Sequence, residues 1–409
     1  MRFFKALLFL PAVFLASCDE NRAVQIWTDR GELALYGEYF NTVQNQYKVT
    51  VKFVEFPSAE QGRGNGPDIV IASWLKNAST KTYFRSIDNF FGAKKLSRSV
   101  FYPKLLAVGR IDRTQYLLPV SFNIPALIFS KNRELELSDQ FTVDFDEIKK
   151  LSRSYNAVSR GAYTRMGFSP LWDENFLLSS VILNGASFRE ADPLVWDSAS
   201  LEKSMDFFYN WTHEINTNSQ AEEDFTFKYF IEPPQRLVQS GRILFSHMKS
   251  SELFLLSEEA RKNLDFRWIM EQNRIPVTED SVYLGIPKRA KSRKAARAFV
   301  QWFFKAETQR RLLEYSKTNR INENIFGICG GFSALSSVTE QVYPLFYPEL
   351  LGRMPPSDNF TPPNILPGNW AVIKNRCVLP YLHDRSRMAK ADDVYPLERR
   401  LADWQRMNR

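Results

Sequence analysis

The sequence predicts an α/β fold, and three observations carry that prediction. AVQIW (Ala23 to Trp27) alternates apolar and polar residues, and YKVTVKFVEF does so again at Val49, Val51 and Phe53. That period of two places alternate side chains on one face of a strand. Between them, from Glu32 to Tyr47, Leu33, Leu35, Tyr36, Tyr39 and Phe40 recur at helical spacing. After them DIVIAS is a continuous apolar run, the pattern of a buried parallel strand. Strand, helix, strand, connector and strand is how an α/β domain opens.

The connector, Gly62 to Pro67, contains GRGNG, which superficially resembles a dinucleotide fingerprint. It precedes a strand and does not open a helix, so it reads as a turn. Thr114 to Asn132 (TQYLLPVSFNIPALIFSKN) sets apolar residues on both sides of a polar centre, Ser121, Phe122 and Asn123. GFSPLWDENFLLSSVILNGASF from Gly167 and LVQSGRILFSHMKSSEL from Leu237 follow. From Val282 to Glu314, Ala295, Phe299 and Phe303, with Ala296, Val300 and Phe304 beside them, recur at i, i+4 in one long amphipathic helix with Lys and Arg on its open face. Ser292 is placed to cap it. Pro355 to Pro367 reads as an extended connector before NWAVIKNRCVLPYL, another helix-like stretch. There is no internal repeat.

The chain opens MRFFKALLFLPAVFLA, with Arg2 and Lys5 ahead of an apolar run from Ala6 to Ala16. A membrane span needs roughly 20 helical residues, so this reads as a secretory leader over residues 1–17. Leu15, Ala16, Ser17 and Cys18 resemble the lipobox of bacterial lipoproteins, which implies an acylated Cys18, a short linker over residues 18–23, and an exported protein anchored to the cell membrane, facing the periplasm or the exterior. Asp19 to Arg22 span under about 15 Å even when extended.

The net charge of +8 over 409 residues is mild, and the basic residues do not interleave with aromatics in a reading surface, so no nucleic-acid partner is expected. The length suits two cores. Apart from Cys18 the cysteines are Cys329 and Cys377, which pair or remain buried thiols. No Gly-x-Ser-x-Gly elbow, Walker loop or Cys-x-x-Cys pair occurs. His213, His247 and His383 stand far apart and read as structural, and pairs such as Asp173 with Glu174 or Asp144 with Asp146 are no more than 46 acids supply by chance. No catalytic residue, cofactor or metal is expected, and no enzyme activity.

VQIWTDRG, GPDIVIA, YLLPVSFNIPALIFSKN, LNGASF, SGRILFSHMKSS and LGIPKRAKSRKAARAFVQWFFKAETQRRLL occur in the order that resembles extracellular solute-binding proteins of ABC importers, the family of maltose-binding protein. The resemblance covers nearly the whole mature chain. It implies a two-lobed periplasmic-binding-protein-like fold with a hinge and an interlobe ligand cleft. Lobe one would combine residues 24–125 and 283–335, and lobe two 126–282 and 336–409.

The resemblance also implies a ligand set, carried over residue by residue. Trp27, Thr28, Asp29 and Arg30 lie in the loop after the first strand, and Ser73 and Trp74 in the loop after DIVIA. Ser121, Phe122 and Asn123 fall at the hinge, and Trp172, Asp173 and Glu174 in lobe two. Ser250 and Ser251 stand where a stacking tryptophan is frequent, a departure that weakens the case for a maltose-like ligand. Trp370 matches another aromatic position, whereas Trp196, Trp211, Trp268 and Trp302 read as packing.

The implied function is a monomeric receptor that delivers a solute, a sugar or oligosaccharide first, to permease subunits while its lipid anchor holds the membrane. Three alternatives stand beside it. The scaffold could bind a peptide, polyamine, metal complex or polyol phosphate; it could serve adhesion or sensing without transport; or it could be an envelope hydrolase, which needs two carboxylates about 5 to 9.5 Å apart.

Overall fold

The structure, a computed structural model, describes residues 23–57, 66–92, 95–133 and 135–407. The leader, Cys18 and the linker to Arg22 lie outside the described residues, as does most of the glycine-rich turn.

The chain opens with β1 (Ala23–Thr28), α1 (Leu33–Val43), β2 (Lys48–Phe53) and β3 (Ile69–Ser73). Helix α1 stops short of Tyr47 because side-chain amides draw the chain out of it. Asn41 brackets the N–H and C=O of Val49 at 2.8 and 2.9 Å, and Gln44 does the same for Tyr47. Two wholly buried strands follow, β4 (Leu117–Phe122) and β5 (Pro125–Ser130), separated only by Asn123 and Ile124. Next come β6 (Thr142–Val143), α2 (Phe145–Tyr155), α3 (Glu174–Leu183), α4 (Ser198–Ile215), α5 (Ser219–Tyr229), β7 (Ser246–Lys249) and β8 (Leu264–Ile269). The chain continues through β9 (Val282–Gly285), α6 (Arg293–Phe303), α7 (Ala306–Thr318) and β10 (Phe332–Ser333) to α8 (Leu379–Ser386) and α9 (Leu397–Met407).

These strands form two larger sheets. The first has the order β10-β4-β9-β3-β1-β2, with β1 parallel to β2 and β3, and β9 antiparallel to β3 and β4. The second has the order β7-β5-β8-β6. The chain therefore passes between sheets at Asn123 and Ile124 and returns over residues 270–281. Both sheets and their cores are complete within residues 23–407.

The long helix expected over α6 and α7 is two helices. The break at Phe304 and Lys305 lets neighbouring Phe303 and Phe304 both be buried, where one straight helix would aim them about 100° apart. The face of Ala295, Ala296, Phe299, Val300 and Phe303 is buried as its spacing predicts. In the tail, Trp370–Ile373 leads into a wide i→i+5 turn, Lys374–Val378, before α8. Pro380 lies two residues beyond that turn; it has no N–H and its ring crowds the carbonyl four residues back, so the widened turn accommodates it. Cys329 and Cys377 are free buried thiols in different cores. Among the described residues no helix is long and apolar enough to cross a membrane.

Candidate functional site

The C-terminal ends of β1 and β3 meet the second crossing. Asp29 accepts from the Ser73 N–H at 3.2 Å and lies 3.2 Å from the Arg30 guanidinium. Arg30 donates to Ser73 Oγ at 2.5 Å and to the Asp280 carbonyl at 3.3 Å, while Ser73 Oγ donates to that carbonyl at 2.7 Å. The Asp280 carboxylate takes the Thr278 hydroxyl at 2.6 Å and Lys249 Nζ at 2.9 Å. A continuous polar chain thus runs from the first sheet through the crossing to the second.

Burial pushes the Asp280 carboxyl up, but Lys249, the Thr278 hydroxyl and Arg30 together hold it below its ordinary value. Lys249 is raised in turn: burial works against its charge, and Asp280 outweighs burial. Burial raises Asp29 despite Arg30. The Asp280–Lys249 pair is charged at neutral pH.

Beside the chain is a narrow pocket, about 70 Å³ in volume, that opens to solvent. One wall is the face of α3 bearing Asn175, Leu178, Ser179 and Ile182, a spacing of 3, 1 and 3 that puts all four on one side of a helix. The other is Pro276 to Asp280, with Pro125, His247, Lys249, Glu252 and Lys374 completing it. Lys374, which opens the wide turn, pairs with Glu279 at 2.5 Å. Asp173 caps α3 through the Asn175 N–H and accepts from His247 Nδ1 at 2.6 Å, which holds that carboxyl below its ordinary value although burial opposes it. With Nδ1 engaged by Asp173, the ring's other nitrogen, Nε2, is buried without a partner among the described residues. His247, read as structural from sequence, is satisfied on one side only.

Of the residues carried over from sequence, the structure brings Asp29, Arg30 and Ser73 together. Trp74, at φ 54°, reaches across from the first sheet to pack on the second lobe's core. Ser121 and Asn123 are hinge brackets. Ser121 Oγ donates to the Cys329 carbonyl at 3.0 Å; Asn123 donates to the Gly330 carbonyl at 3.0 Å and accepts from Ser250 Oγ at 2.7 Å, while its own carbonyl takes the Thr278 N–H. Trp27 is 6% exposed and Trp370 fully buried against Phe188, so both pack in cores and offer no open ring face. Trp172 stacks on Phe225 at 5.8 Å inside the second lobe. Glu174 is exposed in the first turn of α3, outside the pocket lining, and Ser251 is buried in the first turn of Ser250–Leu255. The tryptophans form no common stacking platform.

Sequence reasoning missed Lys249, Glu252, Thr278, Glu279, Asp280 and Lys374. Their only signal was negative: TED, Thr278 to Asp280, sits between apolar segments where neither a strand nor a helix accounts for it.

No family model and no curated protein matches the chain, but solved structures do. The ABC substrate-binding protein Lmo0181 from Listeria monocytogenes, in complex with cycloalternan, matches with a TM-score of 0.62 at 15% identity, over 94% of this chain and 97% of that one. CpMnBP1 with mannotriose bound matches at 0.57 and 12% identity, over 94% and 99%. With mannobiose bound it matches at 0.55 and 13%, over 93% and 99%. Across nearly its whole length, the chain has the two-lobed periplasmic-binding-protein-like fold, with its polar pocket lined by the second lobe and the crossing that returns to the first sheet.

Proposed function

We propose that the protein is a receptor that captures a sugar or oligosaccharide between its lobes for an ABC importer and carries out no reaction of its own. The observation that carries this reading is the pocket at the crossing between two sheets, in a fold shared over nearly the whole chain with proteins holding cycloalternan, mannotriose or mannobiose. Its chemistry suits a neutral polyol. Leu178, Ile182, Pro125 and Pro276 offer surface to C–H faces, while Asn175, Ser179 and the lysines offer donors. His247 Nε2 offers a buried polar atom that costs roughly 1 to 3 kcal/mol if left unpaired.

Charge separates this reading from the non-sugar alternatives. Glu252, Glu279 and Asp280 outnumber Lys249 and Lys374 by one, so the lining has no positive excess to select a phosphate and only one surplus carboxylate to set against a polyamine. Export, acylation at Cys18 and delivery to permease subunits by a monomer complete the proposal.

The test is a thermal-shift series on the chain beginning at Asp19, against mannobiose, mannotriose, cycloalternan, peptides and polyamines. A ligand at a hundred times its dissociation constant stabilises by about 2.7 kcal/mol. A saccharide should raise the melting temperature, and Asn175→Ala should weaken that response. Stabilisation by a polyamine or peptide alone would overturn the sugar reading.

A further inference from the structure

We propose that the pole of the first lobe opposite the cleft is a docking face for anionic phospholipid headgroups. The proposal shares with the proposed function only the anchor at Cys18, and it uses none of the cleft chemistry.

The sheet fixes the geometry. Asp29 and Ser73 lie at the C-terminal ends of parallel β1 and β3, so the N-terminal ends mark the far pole, where Ala23 sits opposite Lys48. Antiparallel β9 leaves the sheet at that pole, where the Arg85 N–H donates to the Ile286 carbonyl at 2.9 Å. Asp68, just before β3, accepts the N–H groups of Lys291 and Ser292 at 2.8 and 2.9 Å and so pins the start of α6 there. An open groove of about 640 Å³ results, with Tyr47, Arg85, Phe90, Arg293, Lys294 and Arg297 in its lining.

Arg297 lies over the Phe90 ring at 4.9 Å, but the rest of the charge has no such partner among the described residues. KRAKSRKAAR, residues 288–297, holds six cations and no acid. Among the described residues no carboxylate pairs with Arg85 or with any of the six. Arg85 is drawn below its ordinary value by burial and by the guanidiniums of Arg293 and Arg297, so these groups repel one another. Arg293 and Lys294 also open α6, whose first turn has no acid, where the helix dipole favours negative charge. Local folding therefore disfavours cations here, and an external anionic surface would compensate them.

Two further features select a membrane over an acidic protein. The chain leaves the described fold at this pole, and the five steps from Cys18 to Ala23 would keep an acylated Cys18 within about 18 Å of Ala23. Val43, 46% exposed at the end of α1, and half-buried Tyr47 add an apolar and an aromatic group suited to the headgroup boundary. One lipid chain gives marginal binding and a basic patch is the usual second contribution. Docked this way, the cleft faces solvent.

The test uses the unacylated chain from Asp19, sedimented with vesicles of phosphatidylcholine alone or mixed equally with phosphatidylglycerol. Binding should require the anionic lipid and fall with salt. Charge reversal at Arg289→Glu, Arg293→Glu and Lys294→Glu together should weaken it by roughly a hundredfold or more, at about tenfold or less per residue. The melting temperature should hold or rise, because the dipole is then served, a combination that a merely structural role would not give. Reversal at Lys150, Arg160 and Lys203, exposed on the other lobe, should change little. Equal binding to neutral vesicles, equal loss in that control, or capture by soluble polyglutamate as tightly as by vesicles would each overturn the proposal. Vesicle binding without any saccharide response would leave this proposal standing and remove the receptor reading; the reverse would do the opposite.

Discussion

The two lobes meet differently on their two sides. Away from the pocket they share rings. Phe254 stacks on Phe326 at 5.2 Å, Phe326 meets Phe332 edge-on at 5.1 Å, and Trp268 of the second sheet lies 6.0 Å from Phe332 of the first. Around the pocket they meet through charge and hydrogen bonds: Arg30 and Ser73 to Asp280, Asp280 to Lys249, and the Ala78 N–H to Glu190 at 2.5 Å. Apolar surface resists separation because water is a poor substitute for its partner, whereas partly exposed charges exchange one another for water at small cost. The aromatic seam is therefore the edge that resists separation and the polar side the edge that separates at smaller cost, the arrangement a hinge closing on a ligand would need.

The comparison breaks most directly at the seam. Phe326 is fully buried and touches Phe254, Phe332, Tyr343 and Tyr347. Phe326→Ala should cost about 3 to 5 kcal/mol, read by guanidinium unfolding. A cost below about 1 kcal/mol would mean that the seam collapses around the loss, and the edge that resists separation would lie elsewhere.

A charge inside one lobe, set beside the charges between lobes, sharpens the contrast. Glu222 on α5 is buried and accepts from Asn216 at 2.6 Å and Thr212 at 3.3 Å, yet burial pushes it up to about 7. Its folded value lies above its unfolded one, so the fold holds the proton more tightly. Its stabilising effect is full below about pH 4.5 and is lost as pH rises to about 7. Glu222→Gln should then raise stability by about 2 to 3 kcal/mol at pH 8 and change little at pH 4, measured by paired melts. An equal effect at both pH values would show that the carboxylate stays ionised.

What sequence could show follows from the range of each interaction. The strands β4 and β5 and the buried face of α6 were legible because their apolar periodicity is local. Asp29, Arg30 and Ser73 were placed by the family resemblance, which carried them over at the ends of two strands that the pattern defines. Trp370 was misplaced because its burial depends on Phe188, far away in the chain, and tryptophan spacing carries no trace of that. Asp280 was missed for the same reason: its partners Arg30 and Lys249 lie 250 and 31 residues from it. Alternation could not reveal His247, since β7 is buried on both faces through Met248.

The smallest expected effect is the most informative about opening. Asp280→Asn keeps an oxygen for the Thr278 hydroxyl and leaves the backbone carbonyl that Arg30 and Ser73 use, but it removes the partner of Lys249. The pair is partly exposed, so unfolding should lose only about 1 kcal/mol. Because Asp280 is held below 3.8, its contribution is present above that value and lost as pH falls through its lower folded value. Small-angle scattering without ligand should give a larger radius of gyration for Asp280→Asn than for the natural chain at pH 7. The natural chain should expand towards that radius on acidification while the variant changes less. If the two radii agree at pH 7 and follow the same acid profile, charge does not hold the cleft side closed, and only the aromatic seam remains to set the lobes' arrangement.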